Sequence, residues 1–401
     1  MSESSTCLEC GRPLIGGRCP DCDAQGLFQF VHREIVVLVA LSAITLAVFV
    51  MTRAAALSSE RIRMRDAAEW YAIGTAHLQS GETASAIQAF RRATSAARDN
   101  RTYRTGLADA LAAAHEHDAA RQVLVALRDL ALEDPGVNLR LARLAAENHR
   151  TEDAVRYYQG ALYGLWPPDR LEQRSDVRRE LIRYLLETDQ LNRALSEVLA
   201  LTGSLPDDAR SQEEAGRLFL RAGDAHRALD YFTRVLRVNS RSVTALAGAG
   251  EAAFRAGDYR RASRYLHGVP DAAAAGVGEL RSVVDAVLTR DPLSGGLPLQ
   301  QRYTRLLRAL ERGRTRLDTC LTEVPALPPD ARAKLEASRT AEDAFERAVT
   351  PARLRESPET IDEGLQLLYN IETAAADVCG PATPLDQALV LIACAHGAGE
   401  S

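Results

Sequence analysis

What this chain of 401 residues lacks narrows its chemistry first. Aromatic residues make up only 5% of it, methionine occurs three times and tryptophan twice. Lysine occurs once, at Lys334, so lysine-dependent chemistry has a single candidate, and no motif accompanies it. No charge of one sign prevails: the net charge of −5 gives no global signal for nucleic acid or anionic lipid. A glycine-rich phosphate loop, a G-x-S-x-G elbow and an H-E-x-x-H pair are all missing. The eight histidines are scattered; His115-x-His117 comes nearest to a metal pair, but it falls where two helical segments meet, as a solvated turn would. Cys394 and His396 have no partner in view. No catalytic constellation emerges, and the expected class is not an enzyme.

Cysteine is unevenly spread. Four of the seven fall in the first 22 residues, as Cys7-x-x-Cys10 and Cys19-x-x-Cys22, separated by eight residues that include Gly11, Gly16 and Gly17. Each C-x-x-C turn presents two thiolates on one side, and two such turns supply the four soft ligands of a tetrahedral zinc site with no open position. The pattern resembles the short zinc-ribbon modules of bacterial N-termini. That resemblance implies a structural zinc over residues 1–27, a staple for a segment too short to fold alone. Iron, or a redox pair of motifs, stays open as an alternative. Contact with nucleic acid is disfavoured, because Arg12 and Arg18 face Glu3, Glu9, Asp21 and Asp23.

Residues 35–51 (IVVLVALSAITLAVFVM) are uncharged and almost wholly apolar. With their flanks they give a single transmembrane helix over 33–55. A cleaved signal peptide is the competing reading, since Ala54-Ala55-Ala56 offers small residues to a peptidase. The apolar run begins far into the chain, however, behind the cysteines. Arginines lie on both sides: Arg12, Arg18 and Arg33 before, Arg53, Arg61, Arg63 and Arg65 after, a slight lean towards cytoplasmic repeats. Four metal-ligating thiolates argue the opposite, for a reducing compartment around the N-terminal segment. The expected arrangement is ribbon inside and the remainder outside, where Cys320 and Cys379 can form a disulfide.

From Ala67 to Pro270 the chain repeats itself. Ile73, Gly74, His77, Ala86, Phe90 and Ala93 recur 34 residues on as Leu107, Ala108, Leu111, Ala120, Leu124 and Leu127, then as Leu141, Ala142, Ala145, Ala154, Tyr158 and Ala161. A longer step, stretched by Trp166-Pro167-Pro168, leads to Leu181, Leu185, Ala194, Val198 and Leu201. Two further steps of 34 give Ala215, Gly216, Phe219, Ala228 and Phe232, then Ala249, Gly250, Ala253, Ala262 and Leu266. Each unit reads as two helices of about three turns, small residues allowing close approach and Phe90, Tyr158 and Phe232 filling the gaps. This period and pattern resemble the tetratricopeptide repeat family. The fold class is therefore all-α: a tetratricopeptide-type helical-hairpin solenoid of about six repeats over 67–270, stabilised by stacking. A helix over Asp271–Thr289 caps it (271–290), and a helical region without the period covers 299–397. There, patterns over Ala331–Ala348, Ile361–Val378 and Leu385–Ala395 follow a break at Pro325, Pro328 and Pro329.

In that family the first helices of successive repeats line a concave surface. Carried over by register, its slots hold Tyr71, Arg143, Arg179, Arg183, Arg217, Arg221 and Arg255. The arginines suit an acidic peptide or a C-terminal carboxylate. The bland alternative is intrahelical pairing, since Arg143/Glu147, Arg183/Glu187, Glu213/Arg217 and Glu251/Arg255 are all spaced i,i+4. The Lys/Asn pattern of chaperone-binding members is not present. The resemblance implies a scaffold for a protein or peptide partner, and the apolar run makes it a membrane-anchored one. The alternatives are a regulator whose ribbon touches nucleic acid or protein, and an enzyme with its site in the C-terminal region.

Overall fold

The computed structural model describes residues 6–324, 327–357, 359–376, 378–379 and 382–397; of residues 21, 23–32, 171 and 273–275 only the backbone is described. Every regular element among the described residues is helical, and extended pairing is confined to two isolated bridges, Thr6 with Pro13 and Ile15 with Arg18. The chain divides into two compact units, Met1–Trp166 and Pro167–Ser401. The division falls inside the Trp166-Pro167-Pro168 insertion, where the sequence period is stretched.

The first unit is organised by one helix, α1 (Pro20–Gln79), which runs without a break from the second cysteine pair through the apolar run into the first repeat. Its stretch 33–51 is the one segment among the described residues long and apolar enough to cross a membrane, and nothing covers it: Ile35 is 52% exposed and Met51 71%. Beyond Ala67 the same helix becomes half of a hairpin with α2 (Thr83–Ala96). Two more hairpins follow, α3 (Arg101–Ala113) with α4 (His117–Leu130), and α5 (Pro135–Glu147) with α6 (Thr151–Leu162).

The second unit opens with three hairpins: α7 (Leu171–Glu187) with α8 (Leu191–Thr202), α9 (Ala209–Arg221) with α10 (Ala225–Val238), and α11 (Val243–Arg255) with α12 (Tyr259–His267). The cap differs from the expected helix over Asp271–Thr289. Residues 271–276 make a 3-10 turn, and α13 starts only at Gly278 and runs to Arg290, because Gly276 and Gly278 penalise the helix interior there. The C-terminal region contains α14 (Leu299–Glu323), α15 (Pro329–Ala348), α16 (Pro351–Glu356), α17 (Thr360–Ala376) and α18 (Pro384–Ala395). Pro329 opens α15 rather than ending what precedes it, as Pro351 and Pro384 open α16 and α18, since proline suits the first helical turn. Pro325 lies outside the described residues.

The hairpin geometry follows from two local devices. Asn100, Asp134, Asp208 and Ser242 each accept a hydrogen bond from a backbone N–H three residues on, starting α3, α5, α9 and α11. The turn inside each hairpin carries one left-handed residue at the same register: Gly81, His115, His149, Asp189, Gly223 and Gly257. Glycine takes this conformation freely; the two histidines and the aspartate occupy it at some cost. That geometry, not metal binding, explains His115.

Stacking is set by close approach. The Phe90 ring sits between Gly74 and Gly106, where an added Cβ would come within 2.9 and 2.8 Å of it. Phe232 is held the same way between Gly216 and Gly248, at 2.9 and 2.4 Å, and is fully buried. Because the ring is gripped on both sides, it cannot swing away from a new side chain. Gly248→Val is expected to destabilise the second unit by about 2–3 kcal/mol through overpacking, while Gly278→Ala, with open space around it, should not destabilise it; thermal melts of the two variants test this.

Candidate docking face and metal site

The four N-terminal cysteines converge. Around Cys7 the Gly11 amide donates to the Cys7 carbonyl (2.9 Å) and the Cys7 amide to Arg12 (2.8 Å), a tight turn that needs the positive φ of Gly11 (74°). Gly16 and Gly17, both with positive φ, reverse the chain between Ile15 and Arg18. This brings Cys19 to the N-cap of α1, so the second C-x-x-C motif is the first turn of that helix. The Sγ atoms of Cys7, Cys10, Cys19 and Cys22 lie within 4.8 Å of one another, with Cys7–Cys22 at 3.9 Å and Cys10–Cys19 at 3.4 Å. Tetrahedral zinc with bonds of ~2.3 Å places its sulfurs ~3.8 Å apart, so this set fits the ion. The thiols do not titrate alike. Backbone N–H groups of Cys10 and Glu9 draw the Cys7 pKa down to about 7, whereas the crowding thiols of Cys10 and Cys19 push that of Cys22 up. Four thiolates this close repel unless a cation offsets them.

The arginines assigned to the docking face do not share one environment. In the first unit, Tyr71 is half-buried against Phe90 and Tyr103 (centroids 5.5 and 5.0 Å), so it packs the stack rather than standing free. Arg143 is exposed and, with Asp109, Arg140 and Glu147, lines a cleft of about 320 Å³. Arg140 clamps Asp109 of the preceding repeat in a bidentate pair (2.7 and 3.1 Å).

In the second unit, Arg179 is already engaged, bonding Glu214 of the next repeat (2.6 Å) and Asp176 (3.1 Å), and this pairing raises its pKa. Arg255 donates to the Leu220 carbonyl (2.8 Å), satisfying the end of α9, and to Glu251 (2.6 Å). Arg217 reaches Glu213 only at 4.0 Å, while Glu213 accepts from Ser242 (2.9 Å). Arg183 and Arg221 are exposed and have no ion-pair partner among the described residues; the expected Arg183/Glu187 pair does not form. Three exposed guanidinium groups therefore stand on α7 and α9: Arg183 and Arg217 occupy the same slot one repeat apart, and Arg221 lies one turn beyond Arg217.

The C-terminal region holds a charge network that sequence reasoning missed. Arg316 of α14, mostly buried, pairs with Glu372 of α17 and lies 3.7 Å from Asp386 of α18, to which Arg312 also donates (3.0 Å). Asp386 simultaneously closes a capping box with Thr383. A disulfide joins Cys320 to Cys379. Burial raises the Glu372 pKa to about 7, with Arg316 opposing the shift. A carboxyl whose folded pKa is raised contributes stability fully below its unfolded value, and loses it as pH climbs through the folded one. Stability of this region should fall by at most about 3 kcal/mol between roughly pH 4.5 and 7 on this account. Glu372→Gln should flatten that slope in denaturant melts taken across this range. His396, unpartnered in the sequence, bonds Asp291 (3.1 Å), a structural tie between the start of the region and its end.

Among known proteins, the family model described as tetratricopeptide repeat matches residues 71–135 and 213–274, one segment in each unit. No curated protein matches the chain. Several solved structures are similar. The C-terminal part of a repeat-containing protein from Cytophaga hutchinsonii is 13% identical, with a TM-score of 0.41, over 60% of this chain and 94% of that one. YrrB, described as a TPR protein with an unusual peptide-binding site, is 16% identical, with a TM-score of 0.36, over 47% and 92%. A tetratricopeptide repeat protein from Parabacteroides merdae is 15% identical, with a TM-score of 0.27, over 76% and 99%.

Proposed function

We propose, for a chain that carries tetratricopeptide repeats in both of its units, that it is a single-pass membrane scaffold docking an acidic segment of a protein partner. Arg183, Arg217 and Arg221 are the groups that meet the partner. The observation that carries this reading is their exposure without strong internal pairing, on first helices of adjacent repeats, while neighbouring Arg179 and Arg255 are used up in holding the stack. Guanidinium forks match carboxylates bidentately, and a preformed helical surface lowers the ordering cost of an extended peptide. Arg143 with its cleft is a lesser contact.

Residues 1–27 form the zinc module, with Cys7, Cys10, Cys19 and Cys22 as ligands, 33–55 the span, 67–270 the repeats, 271–290 a cap and 299–397 a helical C-terminal region. A retained span is favoured over a cleaved leader because Ala54–Ala56 lie in the middle of continuous α1, whereas a peptidase needs extended substrate. Thiols suited to metal on one side of the span and a Cys320–Cys379 disulfide on the other support a cytoplasmic ribbon and extracytoplasmic repeats.

Full-length protein in nanodiscs, titrated with fluorescent acidic peptides, tests the docking face. The triple reversal Arg183→Glu, Arg217→Glu, Arg221→Glu should weaken binding about tenfold or more and leave the melting temperature unchanged. Equal binding by wild type and variant, or no acidic peptide bound by either, contradicts it.

A further inference from the structure

The first unit exposes an apolar patch that nothing in its own stack covers. Leu130 (66% exposed) ends α4, Leu132 (60%) lies in the loop after it, and Tyr163 (68%) and Leu165 (74%) lie in the stretch that follows α6. The loops touch: the Leu165 amide donates to the Glu133 carbonyl (3.1 Å), and Gly164 sits against the same carbonyl and Pro135. Trp166 stands beside them, its Nε1 bonded to the Ala161 carbonyl (2.8 Å).

A ladder of contacts fixes which way this patch faces. Alternate helices are antiparallel, so each loop between hairpins lies at the end of the stack towards the start of α1. Glu60, Arg63 and Met64 of α1 line a cleft with Ala97–Asn100, the first such loop. Arg101, next to it, bonds Asp134 in the second (2.7 Å), and Glu133 bonds Leu165 in the third. All three loops therefore lie on the side of the apolar run. The opposite end is polar at every turn, with Gly81-Glu82, His115-Glu116 and Asn148-His149. From Leu57, where the apolar flank ends, to Arg63 is roughly 9 Å of helix, and the headgroup layer itself occupies about 6 Å beyond the hydrocarbon.

We infer that the apolar loop ends of the first unit, Leu130, Leu132, Tyr163 and Leu165, rest in the interface of the same bilayer that α1 crosses. The occupant is the lipid surface. Along uninterrupted α1 the first loop stands only about 3 Å beyond the headgroup layer, a gap that a leucine, tyrosine or tryptophan side chain spans. Tyrosine and tryptophan are the side chains that prefer that layer. The contact braces the hairpins against the membrane, so that the unit does not pivot on one helix. This inference rests on the membrane reading proposed above.

The two tryptophans, Trp70 and Trp166, allow a direct test. Trp70→Phe leaves Trp166 as sole emitter in full-length protein reconstituted into phosphatidylcholine vesicles, with and without bromine on the shallow acyl carbons. The expected result is loss of Trp166 emission in brominated vesicles. Replacing the four patch residues with serine in that background should abolish the loss while carbonate still fails to extract the protein. Resistance to carbonate without quenching of Trp166 overturns the brace alone, as does quenching that persists in the serine variant. Release by carbonate overturns the membrane reading and the brace together. Unquenched Trp166 with a cross-linked dimer sensitive to the serine changes would assign the patch to a second copy, and also overturns it.

Discussion

Purified full-length protein should carry one zinc ion per chain, and Cys10→Ser should lose it. The four thiolates fill the coordination shell, and the segment around them has almost no core of its own: Leu8 is 104% exposed and Ile15 74%. Metal binding and folding are then one event, with an apparent free energy of about 10–16 kcal/mol for structural zinc at neutral pH. Elemental analysis reads stoichiometry, and a chelator should release the ion together with amide protection of residues 7–18. The span and the repeats should be indifferent, since they share no core with the cysteines. Stoichiometric iron, or four freely alkylated thiols in the native protein, would contradict the assignment.

The second large effect concerns the disulfide between Cys320 and Cys379. It closes a loop with a sequence separation of 59, for which the chain-entropy relation gives about 4 kcal/mol of stabilisation. Cys320→Ser with Cys379→Ser should lower the stability of the C-terminal region by that amount, read as a shifted denaturant midpoint. Breaking the Arg316–Glu372 pair nearby should be comparably severe if Arg316 alone is removed, because Glu372 is left buried without its partner. Mass spectrometry without reductant should find the two cysteines linked and Cys394 free. Two alkylated thiols at these positions would contradict the bridge.

The hairpins were legible because their stacking is periodic in sequence. Each turn needs a left-handed residue at one register, and each gap needs a small residue opposite a large one. Gly106 and Gly248 share one slot of the repeat, on the neighbouring helix that closes over the ring, but Arg140, Glu180 and Glu214 fill that slot in the repeats between, so it carries no small-residue signal. The arginines were harder. A long side chain chooses among partners three or four residues away on its own helix and others one repeat away, and local spacing cannot rank them. Arg255 kept its i,i+4 partner Glu251, but Arg140 and Arg179 went to Asp109 and Glu214 on adjacent repeats. The Arg316–Glu372–Asp386 network left no sequence signal, because its burial depends on helices far apart in the chain. The cysteine pairs were readable as a motif, yet that one of them is the opening turn of the membrane-crossing candidate emerged only from the fold.

A scaffold of this kind requires α1 to divide the chain between two compartments. Cys394 is an exposed free thiol near the far end, and the metal-site cysteines lie near the other. A membrane-impermeant maleimide applied to intact spheroplasts, followed by peptide mapping, reads both at once. The account predicts Cys394 labelled before lysis, and Cys7, Cys10, Cys19 and Cys22 labelled only after lysis and chelation. Cys394 shielded until lysis would place the repeats on the cytoplasmic side and contradict it.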